Sequence, residues 1–123
     1  MELLQIAQHA DDLDRATEFY NRLLGAEPIA RFDPPGLLFY QLGSARLLLD
    51  RAAPSALLYL RVGSVRERIE ELRAAGVSIE TEPHLIFRHK DDSLGPAGHD
   101  EWHGFVRDSE GNVVGLISQE PVP

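Results

Sequence analysis

Four of the five histidines in this chain, His84, His89, His99 and His103, fall within twenty residues of one another, and only His9 lies apart. Histidine and carboxylate together suggest metal or acid–base chemistry. His99 and Glu101 are two apart, so on a strand they share a face. With His84 from a neighbouring strand they would form a two-histidine, one-carboxylate set suited to non-haem iron or another divalent metal. The alternative is that these are polar residues of a solvated loop and satisfied strand histidines. "HDEWH" is not the zincin pattern, because Asp100 stands where that helix motif needs glutamate. Tyr59 and Arg61 also share a strand face. The guanidinium can clamp a carboxylate or phosphate, or simply lie across the sheet with its head in water. Gln5 can hydrogen-bond a ligand or a neighbouring strand. No G-x-x-x-x-G-K loop and no G-x-S-x-G elbow is present, and the pairs Asp91-Asp92 and Glu70-Glu71 read as solvated. No catalytic residue is identified by these patterns.

The elements that must position these groups are legible in the hydrophobic pattern. "LLQIAQ" alternates as a half-buried strand. "DDLDRATEFYNRLLGA" reads as a helix capped by Asp11 or Asp12, striped by Leu13, Ala16, Tyr20 and Leu23, and stopped at Gly25. "GLLFYQLG" and "ARLLLD" are two strands joined at Gly43-Ser44. The pattern then restarts. "LLYLRV" is a strand, and Ser64 with Glu67 forms a capping box for "SVRERIEELRAAG". "VSIETEPHLIF", "EWHGFVRD" and "NVVGLIS" follow as strands. Ile6 maps to Leu58, Asp12 to Ser64 and Tyr20 to Leu72 with one offset of 52 residues. The later turn glycines, Gly43 and Gly111, are offset by a further 16, which the polar segment "RHKDDSLGPAGHDE" accounts for as an inserted loop. The chain is therefore a duplicated βαβββ unit, with modules over about 1–52 and 55–120 forming one domain over 1–123.

Composition sets outer limits. The 123 residues suffice for a real core. A net charge of −8 disfavours nucleic acid and anionic lipid. Without cysteine there are no disulfides and no thiolate chemistry. The first residues lack the basic and apolar regions of a signal peptide, and no apolar run approaches a membrane span. These features imply a cytoplasmic protein with neither nucleic-acid nor membrane partners.

"DLDRATEFYNRLLGA" resembles the first helix of the vicinal oxygen chelate superfamily, "D-L-x-x-A-x-x-F-Y-x-x-L-L-G". "FVRDSEGNVVGLIS" resembles its last hairpin, "F-x-D-P-D-G-N-x-x-E-L". That superfamily includes glyoxalase I, methylmalonyl-CoA epimerase, extradiol dioxygenases and bleomycin resistance proteins. The resemblance implies an α+β fold in which tandem βαβββ modules form a cup-shaped mixed sheet, and it implies a homodimer. In metal-dependent members four side chains, commonly His, Gln or Glu, point into the cup. Carried over by position, they fall here at Gln5, Leu48, Leu57 and Gly115. Only Gln5 has a lone pair to offer, so the usual metal site is expected to be missing and no cofactor is expected.

Which residues of 101–107 face the cup depends on one turn. A four-residue turn pairs Arg107 with Asn112 and puts Trp102 inside. A bulged turn pairs Asp108 with Asn112 and puts Glu101 and His103 there instead. The leading expectation is a metal-free protein that binds a small organic molecule through residues drawn from Gln5, Tyr59, Arg61, His84, His99, Glu101 and Trp102. The alternative is a metal-dependent isomerase, lyase or dioxygenase-like enzyme, with a divalent ion relocated to His84, His99 and Glu101. The glycine inside the last strand, Gly115, is a question of its own, since glycine weakens a strand unless something approaches closely.

Overall fold

The structure, a computed structural model, describes all residues, Met1–Pro123. Two helices and eight strands follow one another as strand, helix and three strands, twice over. In the first pass these are β1 (Gln5–His9), α1 (Leu13–Leu24), β2 (Ala30–Phe32), β3 (Leu37–Leu42) and β4 (Ala45–Asp50). In the second they are β5 (Leu58–Arg61), α2 (Val65–Ala74), β6 (Ile79–Arg88), β7 (His99–Arg107) and β8 (Val113–Pro121). The strands form two four-stranded sheets, ordered β1-β4-β3-β2 and β5-β8-β7-β6. In each, the first strand runs parallel to the last and the other pairings are antiparallel. This is the expected α+β fold. The chain resolves into two compact units, Met1–Ala56 with Asp108–Asn112, and Leu57–Arg107 with Val113–Pro123.

In the first unit the α1 stripe of Leu13, Ala16, Tyr20 and Leu23 is buried, as are Leu38, Tyr40, Leu47 and Leu49 of the sheet. Asp12 caps the helix by accepting from the Arg15 amide at 3.0 Å, and Gly25 ends it in the left-handed region at φ 63°. The Tyr20 hydroxyl donates to Asp108 Oδ2 at 2.7 Å. Burial and the Asp108 carboxylate both push the Tyr20 phenol well above its ordinary range, so it stays protonated and remains a donor. Gln8 is fully buried and its amide has no partner. It lies beside the Tyr20 hydroxyl, but the geometry falls short of a hydrogen bond and the Tyr20 proton is committed to Asp108.

In the second unit Val65, Ile69 and Leu72 of α2 are buried together with Leu58, Val106, Val114 and Leu116. Ser64 caps α2 through the Glu67 amide at 3.2 Å, and Ser118 Oγ accepts from the Val65 amide at 3.1 Å. Gly104 lies directly under this helix. A Cβ there would stand 2.9 Å from Val65 Cγ1. The helix-facing side of β7 is therefore the side of Gly104 and Val106. Its other side carries Glu101, His103 and Phe105.

Candidate functional site

The turn between β7 and β8 decides which side chains reach the open face of the second sheet. The Asp108 amide donates to the Asn112 carbonyl at 2.8 Å, and Asp108 Oδ1 accepts from the amides of Glu110 and Asn112 at 2.9 and 2.7 Å. The turn is the bulged one. Its register sets Phe105 opposite Gly115, His103 opposite Ile117 and Glu101 opposite Gln119. On the far side of β8, Tyr59 is the partner of Gly115 and Arg61 the partner of Ile117. Trp102 lies on the helix side, with the Arg66 guanidinium 4.1 Å from its ring centroid. Its expected place among the ligand-facing residues is thereby corrected, because one residue of register moves every side chain to the opposite face.

Gly115 is explained by what covers it. A Cβ at this position would stand 2.8 Å from Tyr59 Cδ1 and 3.0 Å from Phe105 Cε1. The Tyr59 and Phe105 rings meet edge to face at 5.8 Å, and the His103 ring lies 5.7 Å from Tyr59 and 6.3 Å from Phe105. Three rings thus form a platform where the resemblance would place a metal-binding carboxylate. Tyr59 keeps 48% of its surface exposed.

Beside the platform sits a nearly buried carboxylate, Glu101, 8% exposed. His89 Nε2 lies 2.9 Å from its Oε1 and His103 Nε2 lies 2.7 Å from its Oε2. Gln119 Nε2 donates to Oε1 at 3.1 Å, and Arg61 Nη1 donates to Gln119 Oε1 at 2.9 Å. Burial pushes the Glu101 carboxyl up, but the donors from Gln119, His103 and His89 together outweigh it and hold it below the ordinary range. An ionised carboxylate only accepts, so both histidines carry their proton on Nε2. The segment after β6 packs onto this cluster. A Cβ at Gly95 would stand 2.5 Å from Gln119 Nε2 and 2.8 Å from His89 Cε1.

The structure does not assemble His84, His99 and Glu101. Register shifts in β6 between Thr81 and His84 and between Leu85 and Phe87 place His84 opposite His103, and Phe87 opposite Glu101. The Nδ1 atoms of His84 and His99 each lie 3.1 Å from a nearby carbonyl oxygen, that of Glu82 and that of Ala97. No three His, Asp or Glu side chains converge to hold a metal ion. The superfamily positions do not fit one either. In the first unit Gln5 Oε1 accepts from Arg46 Nε at 3.0 Å, and Leu48 is apolar and buried. In the second, Leu57 and Gly115 offer no donor.

His89, Phe105 and Gln119 were not among the expected site residues. Phe105 and Gln119 share the parity of Gly115 and follow once the turn is known. His89 carries no such signal, since it sits beyond a bulged strand at the start of what reads as a solvated loop.

Comparison with known proteins agrees with this fold. A family model described as Glyoxalase/Bleomycin resistance protein/Dioxygenase superfamily matches residues 2–116. Among curated proteins no match was found. Among solved structures, TnmS3, an antibiotic binding protein from Streptomyces sp. CB03234, superposes with a TM-score of 0.74 at 19% identity, covering 98% of this chain and 97% of the other. A lactoylglutathione lyase from Agrobacterium tumefaciens gives 0.67 at 22% identity, with 95% and 92% covered. A glyoxalase/bleomycin resistance protein from Albidiferax ferrireducens T118 gives 0.65 at 19% identity, with 94% and 98% covered.

Proposed function

The chain belongs to the Glyoxalase/Bleomycin resistance protein/Dioxygenase superfamily, and from that premise we propose that it binds a small, flat organic molecule without a metal ion. The binding surface in this reading is the open face of the second sheet. The observation that carries it is the ring platform of Tyr59, Phe105 and His103 over Gly115, with the half-exposed Tyr59 at its edge. Aromatic side chains bring large apolar area and a preference for stacked or edge contacts, which suits a planar ligand. Arg61 adds one cation at the rim to orient a polar substituent, while Glu101 lies behind the platform with both oxygens held by His89, His103 and Gln119. Gln5, with its partner Arg46, is a polar pair on the first sheet and plays a supporting part at most. TnmS3, an antibiotic binding protein of the same fold, supports binding as a use of this fold. In this reading the protein is a homodimer of two-module, single-domain chains in the cytoplasm. No helix is long and apolar enough to cross a membrane.

Calorimetric titration with 2-naphthoate, a planar bicycle with one carboxylate, tests this. Saturable 1:1 binding is expected, weakened at least about tenfold in Tyr59→Ala, as loss of an aromatic anchor implies. Arg61→Gln is expected to weaken it less, because an exposed charge pair contributes little. Equal affinity in wild type and Tyr59→Ala would refute the assignment of the face.

A further inference from the structure

We infer that His103, oriented by Glu101, is a proton-transfer base for enolisable carbonyl compounds seated on the ring platform, so that the protein is a metal-independent catalyst as well as a binder. The inference rests on the binding face proposed above. Its own support is the arrangement of four side chains. Glu101 Oε2 accepts a hydrogen bond from His103 Nε2 at 2.7 Å, which fixes the tautomer and leaves Nδ1 with a free lone pair. That lone pair has no protein partner. The only buried side-chain polar atoms lacking a partner belong to Gln8, so His103 Nδ1 keeps contact with solvent. His89, its side chain 1% exposed, holds the other carboxylate oxygen and stops Glu101 from turning away.

A second group completes the reaction. Arg61 and His103 flank Ile117 on the same face, one strand to either side. Arg61 is tied into the same cluster through Gln119. A planar ketone lying on Tyr59 and Phe105 would present its acidic C–H toward His103 and its carbonyl oxygen toward Arg61. The balance is simple. The C–H bond breaks and its proton goes to His103 Nδ1. The electron pair forms the C=C bond of the enolate, and the negative oxygen faces the guanidinium. Reversal returns a proton to carbon, with no net oxidation and no co-reactant. Glu101 stabilises the imidazolium formed on the way, as a positioning residue that never touches the substrate. Racemisation, epimerisation and keto–enol or double-bond isomerisation all consist of this step.

The probe is 2-indanone, a flat bicyclic ketone whose hydrogens at C1 and C3 exchange with solvent through the enolate. Exchange in deuterated buffer is followed by proton NMR. Wild type is expected to accelerate it by about 100-fold over buffer, the ordinary scale of a positioned base. His103→Ala should return it to the buffer rate with an unchanged circular dichroism spectrum. Glu101→Gln should lower the rate and leave the affinity for 2-naphthoate as it is in the wild type, and Glu101→Asp should restore part of the rate. A merely structural role for Glu101 would weaken binding along with the rate. 2-Naphthoate should inhibit competitively. If 2-naphthoate binds and wild type does not speed exchange, or if His103→Ala keeps the wild-type rate, the base assignment is wrong and the binding face stands. If neither compound binds, both fall.

Discussion

A methyl group at position 115 has no free volume to enter. It would meet the Tyr59 ring at 2.8 Å and the Phe105 ring at 3.0 Å, both too close for carbon. Gly115→Ala is therefore expected to destabilise the protein by about 1–3 kcal/mol, the usual range for overpacking. Urea denaturation checks this. In a Tyr59→Ala background the same change should cost at least about 1 kcal/mol less, since contacting residues couple on that scale. Equal cost in both backgrounds would mean that the rings are not the reason for the glycine. Gln8 makes the opposite point, being a buried amide with no partner. Gln8→Met keeps the shape and removes the unsatisfied groups, so stability should rise by about 1 kcal/mol. A lower urea midpoint in Gln8→Met would show that the amide is satisfied in solution. Neither residue was legible by type alone. Gly115 drew notice as a glycine in a strand, but its reason lies on two other strands, and Gln8 looks like any alternating strand residue.

The start of α1 owes part of its stability to an acid. Glu110 accepts from the Asp12 amide at 2.8 Å and from Arg15 Nε and Nη2 at 2.7 and 3.1 Å, with its own side chain fully covered. Burial raises its pKa, but Arg15, the Asp12 amide and Ser109 more than offset this and bring it down to about 2 from the ordinary 4.5. A carboxyl depressed on folding stabilises the native state above its unfolded pKa, and that contribution drains away as pH falls from about 4.5 toward 2. Because Arg15 is half exposed and screened, the amount is about 1–2 kcal/mol. Glu110→Gln should thus be less stable at neutral pH and show a flatter stability profile between pH ~5 and ~2. Parallel profiles for the two proteins would reject this. The helices themselves were readable, because caps and 3.6-residue stripes are local. The strands were readable as strands. Their faces were not, since the face of β7 hangs on one residue of turn length at Asp108–Asn112, and the facing of β6 on bulges that no alternation announces. For that reason His103 and Glu101 emerge on the ring platform, Trp102 does not, and His84 and His99 stay apart from the carboxylate.

At the scale of the whole chain, the internal repeat was the most legible feature, because an offset of 52 residues recurs across strand, cap and helix. Assembly is a prediction at this scale. β6 is a ten-residue edge strand whose Leu85, Ile86 and Phe87 are exposed, and such an edge invites a partner. A homodimer is expected, with light scattering at micromolar concentration giving twice the 13.7 kDa chain mass. A mass of one chain would reject it. The repeat also suggests two exchangeable halves, each half a gene in its own right. The hairpin tip contradicts that suggestion. Asp108–Asn112, encoded in the second half, belongs to the compact unit built from the first, where Asp108 accepts the buried Tyr20 hydroxyl and Asn112 donates to the His9 carbonyl at 2.7 Å. A chain cut after Ala56 would leave Tyr20 with a buried proton and nowhere to give it. The order of elements repeats, but the halves are not separable parts, because the compact unit built from the first carries five residues of the second.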